Sequence, residues 1–327
     1  MGLKKLVVEL TSLCNLDCEY CFKEAGTSHI DPDLVRRILH EARNWGASNV
    51  TYTGGEISLY PQLSDVLTMT ETLGYRYAVV TNGWHFPRIL PLLTATRSAL
   101  NHIFFSVDSA NEYAHDQVRG AGSYQKIISA VDLCRGHNLP FSFLVIVNQK
   151  NIDEMEPLAE LAAKLGCKGM KFGHLLPTSE SLDRQLSLSD TKRQWAESEA
   201  VRLNSVLNIT VSFSAAARNT APGACCEPYS GRTISIDCHG RLSLCCQLAS
   251  YRGAATENDI VADLKKTDFP EAYLHFLALA ATQRMRRDKA LATGTPLSEY
   301  PCDFCTATLG KTRGDRLLQP VPLETRL

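Results

Sequence analysis

The 327-residue sequence predicts an α/β chain built on a parallel sheet, followed by a smaller cysteine-rich region. Three observations carry that expectation. Short β-branched or aromatic runs alternate with longer amphipathic stretches from Leu6 to about Leu207. The polar signatures fall where the predicted strands end. After about residue 208 the alternation stops and cysteines become dense.

The predicted strands are Leu6–Leu10, Asn49–Thr53, Tyr77–Thr81, His102–Val107, Phe141–Val147 and Gly169–His174. Helical segments follow at Asp31–Trp45, Tyr60–Leu73, Pro87–Ala95, Ser123–His137, Asp153–Leu165 and Ser189–Leu207. Asp31-Pro32 and Ser189 read as helix starts, and Gly46, Gly74 and Gly166 sit where C-caps belong. Six such units imply a parallel sheet with crossover helices and fall short of the eight of a closed barrel. Chemistry in such sheets gathers in the loops after the strands. A strand-like Ile209–Phe213 and a helical Phe269–Leu291, packing back on the sheet, complete the pattern.

The loop after the first strand carries Cys14, Cys18 and Cys21 in C-x3-C-x2-C spacing. Three thiolates on one short loop can hold three corners of a 4Fe–4S cluster and leave the fourth iron without a protein ligand. A structural zinc site is the alternative, but zinc favours four ligands in two pairs, and the nearby fourth candidate is His29. Disulfides fit poorly, because there is no apolar signal segment and the cysteines cluster. Tyr20 completes the pattern C-x3-C-x-aromatic-C. In this pattern the chain resembles the radical S-adenosylmethionine superfamily, whose open iron chelates the cofactor's methionine amino and carboxylate groups. The resemblance implies a partial (β/α)6 barrel, open at one side, over residues 1–207.

Gly54-Gly55 after strand two would let the backbone approach a ligand, and Glu56 would present a carboxylate to it. A turn ending in a solvent-facing Glu is the plainer alternative. The resemblance assigns the motif to the cofactor's methionine ammonium, although Ile57 stands where relatives commonly carry Pro. It also assigns Ser106 and Asp108, on one face of strand four, to the cofactor's ribose and methionine portions, with helix capping as the competing role for Asp108 or Ser109. Asn82 suits the pocket mouth or an Asn-Gly turn. Arg119 suits the cofactor carboxylate, the substrate or the surface, and Asn148 follows strand five as a further pocket candidate. His174, His239 and Asp108 are candidate proton acceptors.

Composition narrows the partners. Lys plus Arg (34) nearly equals Asp plus Glu (35), which argues against a polyanion-binding surface. The basic stretch Gln283–Lys289 reads as a solvated helix face. No run reaches a membrane span, and twelve cysteines without an export signal suggest a reducing cytoplasm.

In the second cysteine group thirteen residues separate Cys226 from Gly240 and four separate Gly240 from Cys245, with a distal Cys302-Asp303-Phe304-Cys305. Ile234–Leu244 reads as a hairpin that brings Cys226 to Cys245. This arrangement resembles the twitch domain, the short form of the SPASM auxiliary-cluster domain, over residues 208–327. It implies a second, fully ligated 4Fe–4S cluster. Cys225 can replace Cys226, Cys246 can replace Cys245, Cys238 is a reserve ligand, and zinc is the alternative metal. Cys134 and Cys167 read as ordinary semi-buried residues.

The resemblance implies one-electron reduction of S-adenosylmethionine to a 5′-deoxyadenosyl radical, with the electron from a flavodoxin- or ferredoxin-type reductant. Hydrogen abstraction would then lead to dehydrogenation or to C–C or C–heteroatom bond formation in natural-product biosynthesis. The chain starts almost directly at strand one, without an added leader-recognition domain, which favours a small sugar- or nucleoside-type precursor. A peptide maturase or epimerase is the alternative. Outside catalysis, an iron–sulfur electron carrier or a zinc-stabilised binding module would use the same cysteines. The tail Glu324–Leu327 lacks the Gly-Gly ending of molybdenum-cofactor cyclases.

Overall fold

A computed structural model describes residues 2–214, 217–221, 226–254 and 256–311. Cys225 and the tail Glu324–Leu327 lie outside the described residues. Ten strands form one sheet: β1 Lys5–Thr11, β2 Asn49–Gly54, β3 Arg76–Thr81, β4 Leu100–Ser106, β5 Phe141–Val147, β6 Gly169–His174, β7 Thr210–Phe213, β8 Thr233–Ile236, β9 Arg241–Ser243 and β10 Ile260–Asp263. Among the described residues ten α-helices accompany them: α1 Pro32–Arg43, α2 Leu63–Thr72, α3 Phe86–Ala95, α4 Glu112–Arg119, α5 Ser123–Gly136, α6 Met155–Lys164, α7 Ser179–Asp183, α8 Asp190–Val206, α9 Phe269–Ala292 and α10 Pro301–Thr308.

The six expected strands pair in parallel from β1 to β6, and the spatial order β10-β9-β8-β1-β2-β3-β4-β5-β6-β7 is that of an open, partial barrel. The expected boundary near residue 208 falls between α8 and β7, and the sheet runs across it. β7 pairs in parallel with β6, and β8 pairs in parallel with β1 (Lys5 opposite Thr233). The C-terminal region therefore extends the barrel wall at both edges, with β8 beside the strand that carries the cysteine loop.

Local chemistry sets the element ends. The Asp31 carboxylate accepts the Asp33 N–H at the start of α1, with Pro32 in the first turn, and Ser189 Oγ accepts the Lys192 N–H at α8. The β8–β9 hairpin turns on Asp237, whose carboxylate accepts the backbone N–H groups of His239 and Arg241, and on Gly240 at φ +81°. α9 packs back on the barrel: Tyr273 meets Trp45 edge-on with ring centroids 5.1 Å apart, and the Phe269 N–H reaches Glu41 at 3.1 Å. Arg287, expected on a solvated face, is instead buried and donates to the Ser298 carbonyl at 2.9 Å, because α9 is covered on that side. No helix among the described residues is long and apolar enough to cross a membrane.

Candidate active site

The cysteine loop leaves β1 at Thr11 and is closed at its base by Ser12, whose N–H donates to the Ser28 carbonyl at 2.9 Å. Within it the Cys21 N–H donates to the Cys18 carbonyl at 2.9 Å, and the Glu19 N–H donates to Val118 on α4 at 3.1 Å. Tyr20 is buried against Val118, Leu175 and Leu186, so a small apolar cluster anchors the loop's centre. The three cysteines are free thiols, half-buried, and line a cavity of about 710 Å³ together with Asn82, Ser106, Arg119 and Gly54-Gly55. They stand close enough to feel one another's charge. Burial pushes all three thiols up, Cys18 to about 11, and the Arg119 guanidinium opposes this with Nη1 3.8 Å from Cys18 Sγ.

Asp108, expected as a proton acceptor and cofactor contact, has neither position. It is 1 % exposed and does not line the cavity. Tyr20 Oη donates to both its oxygens at 2.9 and 2.8 Å, and Arg119 Nε donates to Oδ2 at 2.5 Å. The Arg119 guanidinium also hydrogen-bonds Tyr20 Oη. Asp108 thus holds the cation that faces Cys18, and His115 Nδ1 accepts the Asp108 N–H at 3.3 Å from beneath. The helix after β4 is capped by Asn111 rather than by Asp108 or Ser109.

Glu56 also turns inward. Oε1 accepts from Ser58 N at 3.0 Å and Thr81 Oγ1 at 2.7 Å, and Oε2 accepts from Asn82 N at 2.7 Å. Its carboxylate locks the β3 loop instead of presenting itself to the cavity. The two glycines before it serve a close approach, but to backbone. A Cβ on Gly54 would lie 2.3 Å from the Thr11 carbonyl oxygen, and one on Gly55 would lie 2.3 Å from that of Leu13. Gly55 N and Glu56 N donate to those same carbonyls at 2.7 and 2.8 Å, which ties the second loop to the root of the cysteine loop. Asn82 combines both expected roles: Oδ1 accepts the Trp84 N–H at 2.9 Å as a turn residue, while Nδ2 points to Asn15 at 3.0 Å and lies 3.9 Å from Cys14 Sγ. Asn148 lies away from the cavity. Its side chain bonds the backbone of Ile146 and Lys150 within the turn after β5. His174 lines the cavity with Nε2 2.7 Å from Glu197, and burial lowers its pKa despite that carboxylate. His239 is exposed at the hairpin turn and lines neither cavity.

The second group is denser than the sequence alone indicated. Cys226, Cys245, Cys246, Cys302 and Cys305 line one further cavity of about 560 Å³ inside the barrel, whereas the buried Cys238 does not. Cys302 and Cys305 rise from one face of α10 at i, i+3 spacing. Gln247 Oε1 accepts from Cys302 Sγ at 2.8 Å, and Tyr229 Oη lies 2.7 Å from Cys305 Sγ. Cys245 and Cys246 share a hydrogen bond that raises the Cys245 pKa and lowers that of Cys246, with Lys23, Lys5 and Lys171 favouring the Cys246 thiolate. Among the described residues no group of three His, Cys, Asp or Glu converges tightly enough to hold a single metal ion. All-thiol donor sets spread over a cavity wall suit a cluster, in which each thiolate binds its own iron.

Sequence reasoning missed the link between the two cysteine groups. Lys23, two residues after Cys21, is half-buried and donates to Glu9, to the Cys246 carbonyl at 2.8 Å and to the Ala249 carbonyl at 2.7 Å. Glu9 points inward from β1 and also accepts from Ser250 Oγ at 2.9 Å. The signal available was a carboxylate at an inward position of an otherwise apolar strand, which calls for a partner.

Comparison with known proteins agrees with this geometry. Residues 8–162 match the model of the Radical SAM superfamily. The chain is 28% identical over 177 residues to the AdoMet-dependent heme synthase of Methanosarcina barkeri, covering 52% of this chain and 50% of that protein. It is 24% identical over 253 residues to the PqqA peptide cyclase of Gluconobacter oxydans, covering 73% of this chain and 69% of that protein. The crystal structure of Streptococcus suis SuiB bound to precursor peptide SuiA shares the fold at a TM-score of 0.67 and 12% identity, covering 84% of this chain and 65% of that one. The chain thus spans half the length of the heme synthase it matches. With the cysteine loop at the end of β1 and the parallel strands behind it, residues 8–162 of this chain are a domain of the radical SAM superfamily.

Proposed function

We propose that this chain is a peptide-modifying radical SAM enzyme carrying two 4Fe–4S clusters, which oxidises an unactivated carbon of its substrate. A single observation supports it best. Five cysteines line an interior cavity that shares Leu176 and Gln247 with the cavity under Cys14, Cys18 and Cys21, so a substrate between them would touch both groups. When bound, an open-cornered cluster with S-adenosylmethionine supplies a carbon radical that takes a hydrogen atom, and a closed second cluster supplies a one-electron acceptor.

In this reading Cys14, Cys18 and Cys21 hold the first cluster, with Arg119 and Asn82 beside the sulfurs. Gly54, Gly55 and Ser106 form the cavity wall against which S-adenosylmethionine lies. Cys226, Cys302 and Cys305, with Cys245 or Cys246, hold the second cluster, and a flavodoxin- or ferredoxin-type protein supplies the electron. The similarity to a PqqA peptide cyclase over 73% of the chain favours a peptide over the sugar- or nucleoside-type precursor expected from sequence.

The test is anaerobic turnover of the reconstituted chain with S-adenosylmethionine, dithionite and synthetic peptides encoded by reading frames beside its gene. A peptide that loses two hydrogens as 5′-deoxyadenosine accumulates supports the reading. Turnover of sugars or nucleosides, with no peptide altered, would replace it.

A further inference from the structure

Two side chains reach the sulfurs of the distal cysteine pair without being ligands themselves. Tyr229 Oη lies 2.7 Å from Cys305 Sγ, and Gln247 Oε1 lies 2.8 Å from Cys302 Sγ. They arrive from different segments. Tyr229 sits in a turn closed by Ser230 N on the Cys226 carbonyl at 3.1 Å and by Gly231 N on that of Pro228 at 2.9 Å. Gln247 follows Cys246 in a turn where Leu248 N and Ala249 N both donate to the Cys245 carbonyl, at 3.0 and 3.1 Å. Tyr229 is buried. Gln247 lines both cavities, and its amide nitrogen has no partner among the described residues.

In the thiol form Cys302 donates and Gln247 accepts. Ligation to iron removes the thiol proton, and the thiolate that remains can only accept. An amide oxygen against an anionic sulfur is repulsive, and half a turn of the Gln247 amide presents its N–H instead. Tyr229 needs no such change, because a phenol keeps its proton at neutral pH and its O–H is the donor left in that contact. Each sulfur of the pair then receives one neutral side-chain hydrogen bond away from bulk water, where bonds to a charged acceptor are strong. An added electron puts more negative charge on the sulfurs, so donors aimed at them favour the reduced state. We propose that Tyr229 and Gln247 are positioning residues that raise the second cluster's potential by donating to the sulfurs of Cys305 and Cys302. They make the second site a better one-electron acceptor, the property that oxidation of the substrate requires. This rests on the two-cluster reading above.

The experiment is a redox titration of the anaerobically reconstituted full chain, followed by spin resonance on the signal that replacing Cys302 and Cys305 removes. Tyr229→Phe and Gln247→Leu should each lower the equilibrium constant for reduction about tenfold, which is about 59 mV for one electron. Gln247→Glu, whose carboxylate cannot donate at neutral pH, should lower it at least as far. The first cluster's potential should stay in place, with about eight irons retained. Tyr273→Phe is the control. It deletes a similarly buried phenol that donates to the Gly231 carbonyl at 2.8 Å rather than to a sulfur, and should leave both potentials unmoved. Unchanged potentials in the Tyr229 and Gln247 variants that keep about eight irons overturn the proposal. So does an equal fall in Tyr273→Phe, because loss of any buried phenol would then suffice. A parent chain with about four irons, none of them removed by replacing Cys302 and Cys305, would sink the two-cluster reading and this assignment with it. Iron content therefore tells the two failures apart.

Discussion

The two cysteine groups of this chain solve opposite problems. The first draws three thiols from one loop of eight residues and leaves them half-buried on the wall of an open cavity. The second draws five thiols from three separate segments and gathers them inside the barrel. The loop is short, so its shape must come from outside: Tyr20 pinned by Asp108 and Arg119, and the Gly54–Glu56 backbone hydrogen-bonded to its root. The second group inherits its shape from β8, β9 and α10. Three thiols leave one corner of a cluster for a ligand, and a set of four or more can close every corner, which fits electron storage.

The difference is sharpest under cysteine replacement. Cys18→Ala is expected to abolish 5′-deoxyadenosine formation while about four irons remain per chain. Loss of iron from both sites, or surviving cleavage, would show that the groups are not separate. Replacing both Cys302 and Cys305 with Ala should do the reverse, keeping slow cofactor cleavage without peptide oxidation.

Next in size are the buried charges that shape each group. Arg119→Met strands the Asp108 carboxylate and should cost about 3–5 kcal/mol in denaturant titrations. It also removes the cation that eases Cys18 deprotonation, so iron loading at neutral pH should slow and recover as pH rises, since ligation releases thiol protons. Lys23→Met strands Glu9 and should destabilise comparably, whereas Lys23→Met with Glu9→Gln should recover most of the loss. If the double variant is no better than the single, Lys23 and Glu9 do not act as a pair.

A smaller effect follows pH. Burial holds His115 neutral, its pKa pushed down to about 4 from the ordinary 6.5. Below pH 6.5 the unfolded chain takes up a proton that the folded chain refuses, so stability present above 6.5 declines toward pH 4. The decline is on the order of 3 kcal/mol, and His115→Gln should flatten it. Smallest of all, Asn148→Ala removes turn hydrogen bonds at a cost of about 1 kcal/mol and should leave the apparent affinity for S-adenosylmethionine within about twofold.

The sheet was legible because the strands are compact runs between helical stretches, two of which, α1 and α8, carry side-chain caps at Asp31 and Ser189; all six expected strands appear within two residues of their expected ends. α4 was not read, since its eight residues bury only His115, Val118 and Arg119 and carry no aliphatic stripe. Motif spacing located the site but not the direction of its side chains. Glu56, Asp108 and Asn148 all occur in the expected loops, yet each is turned onto protein partners. Those of Glu56 and Asp108, such as Thr81 and Tyr20, lie 25 and 88 residues away in sequence. Lys23 and the Cys246 carbonyl are 223 residues apart, a pairing that only the continuation of the barrel wall through β8 brings together.

Spin resonance of the anaerobically reconstituted, dithionite-reduced chain, before and after S-adenosylmethionine is added, addresses the division of labour directly. Two cluster signals are expected, with about eight irons per chain, and the cofactor should perturb only the signal that Cys18→Ala removes. One signal that the cofactor leaves unmoved, or a protein that cleaves the cofactor without iron, would contradict the account.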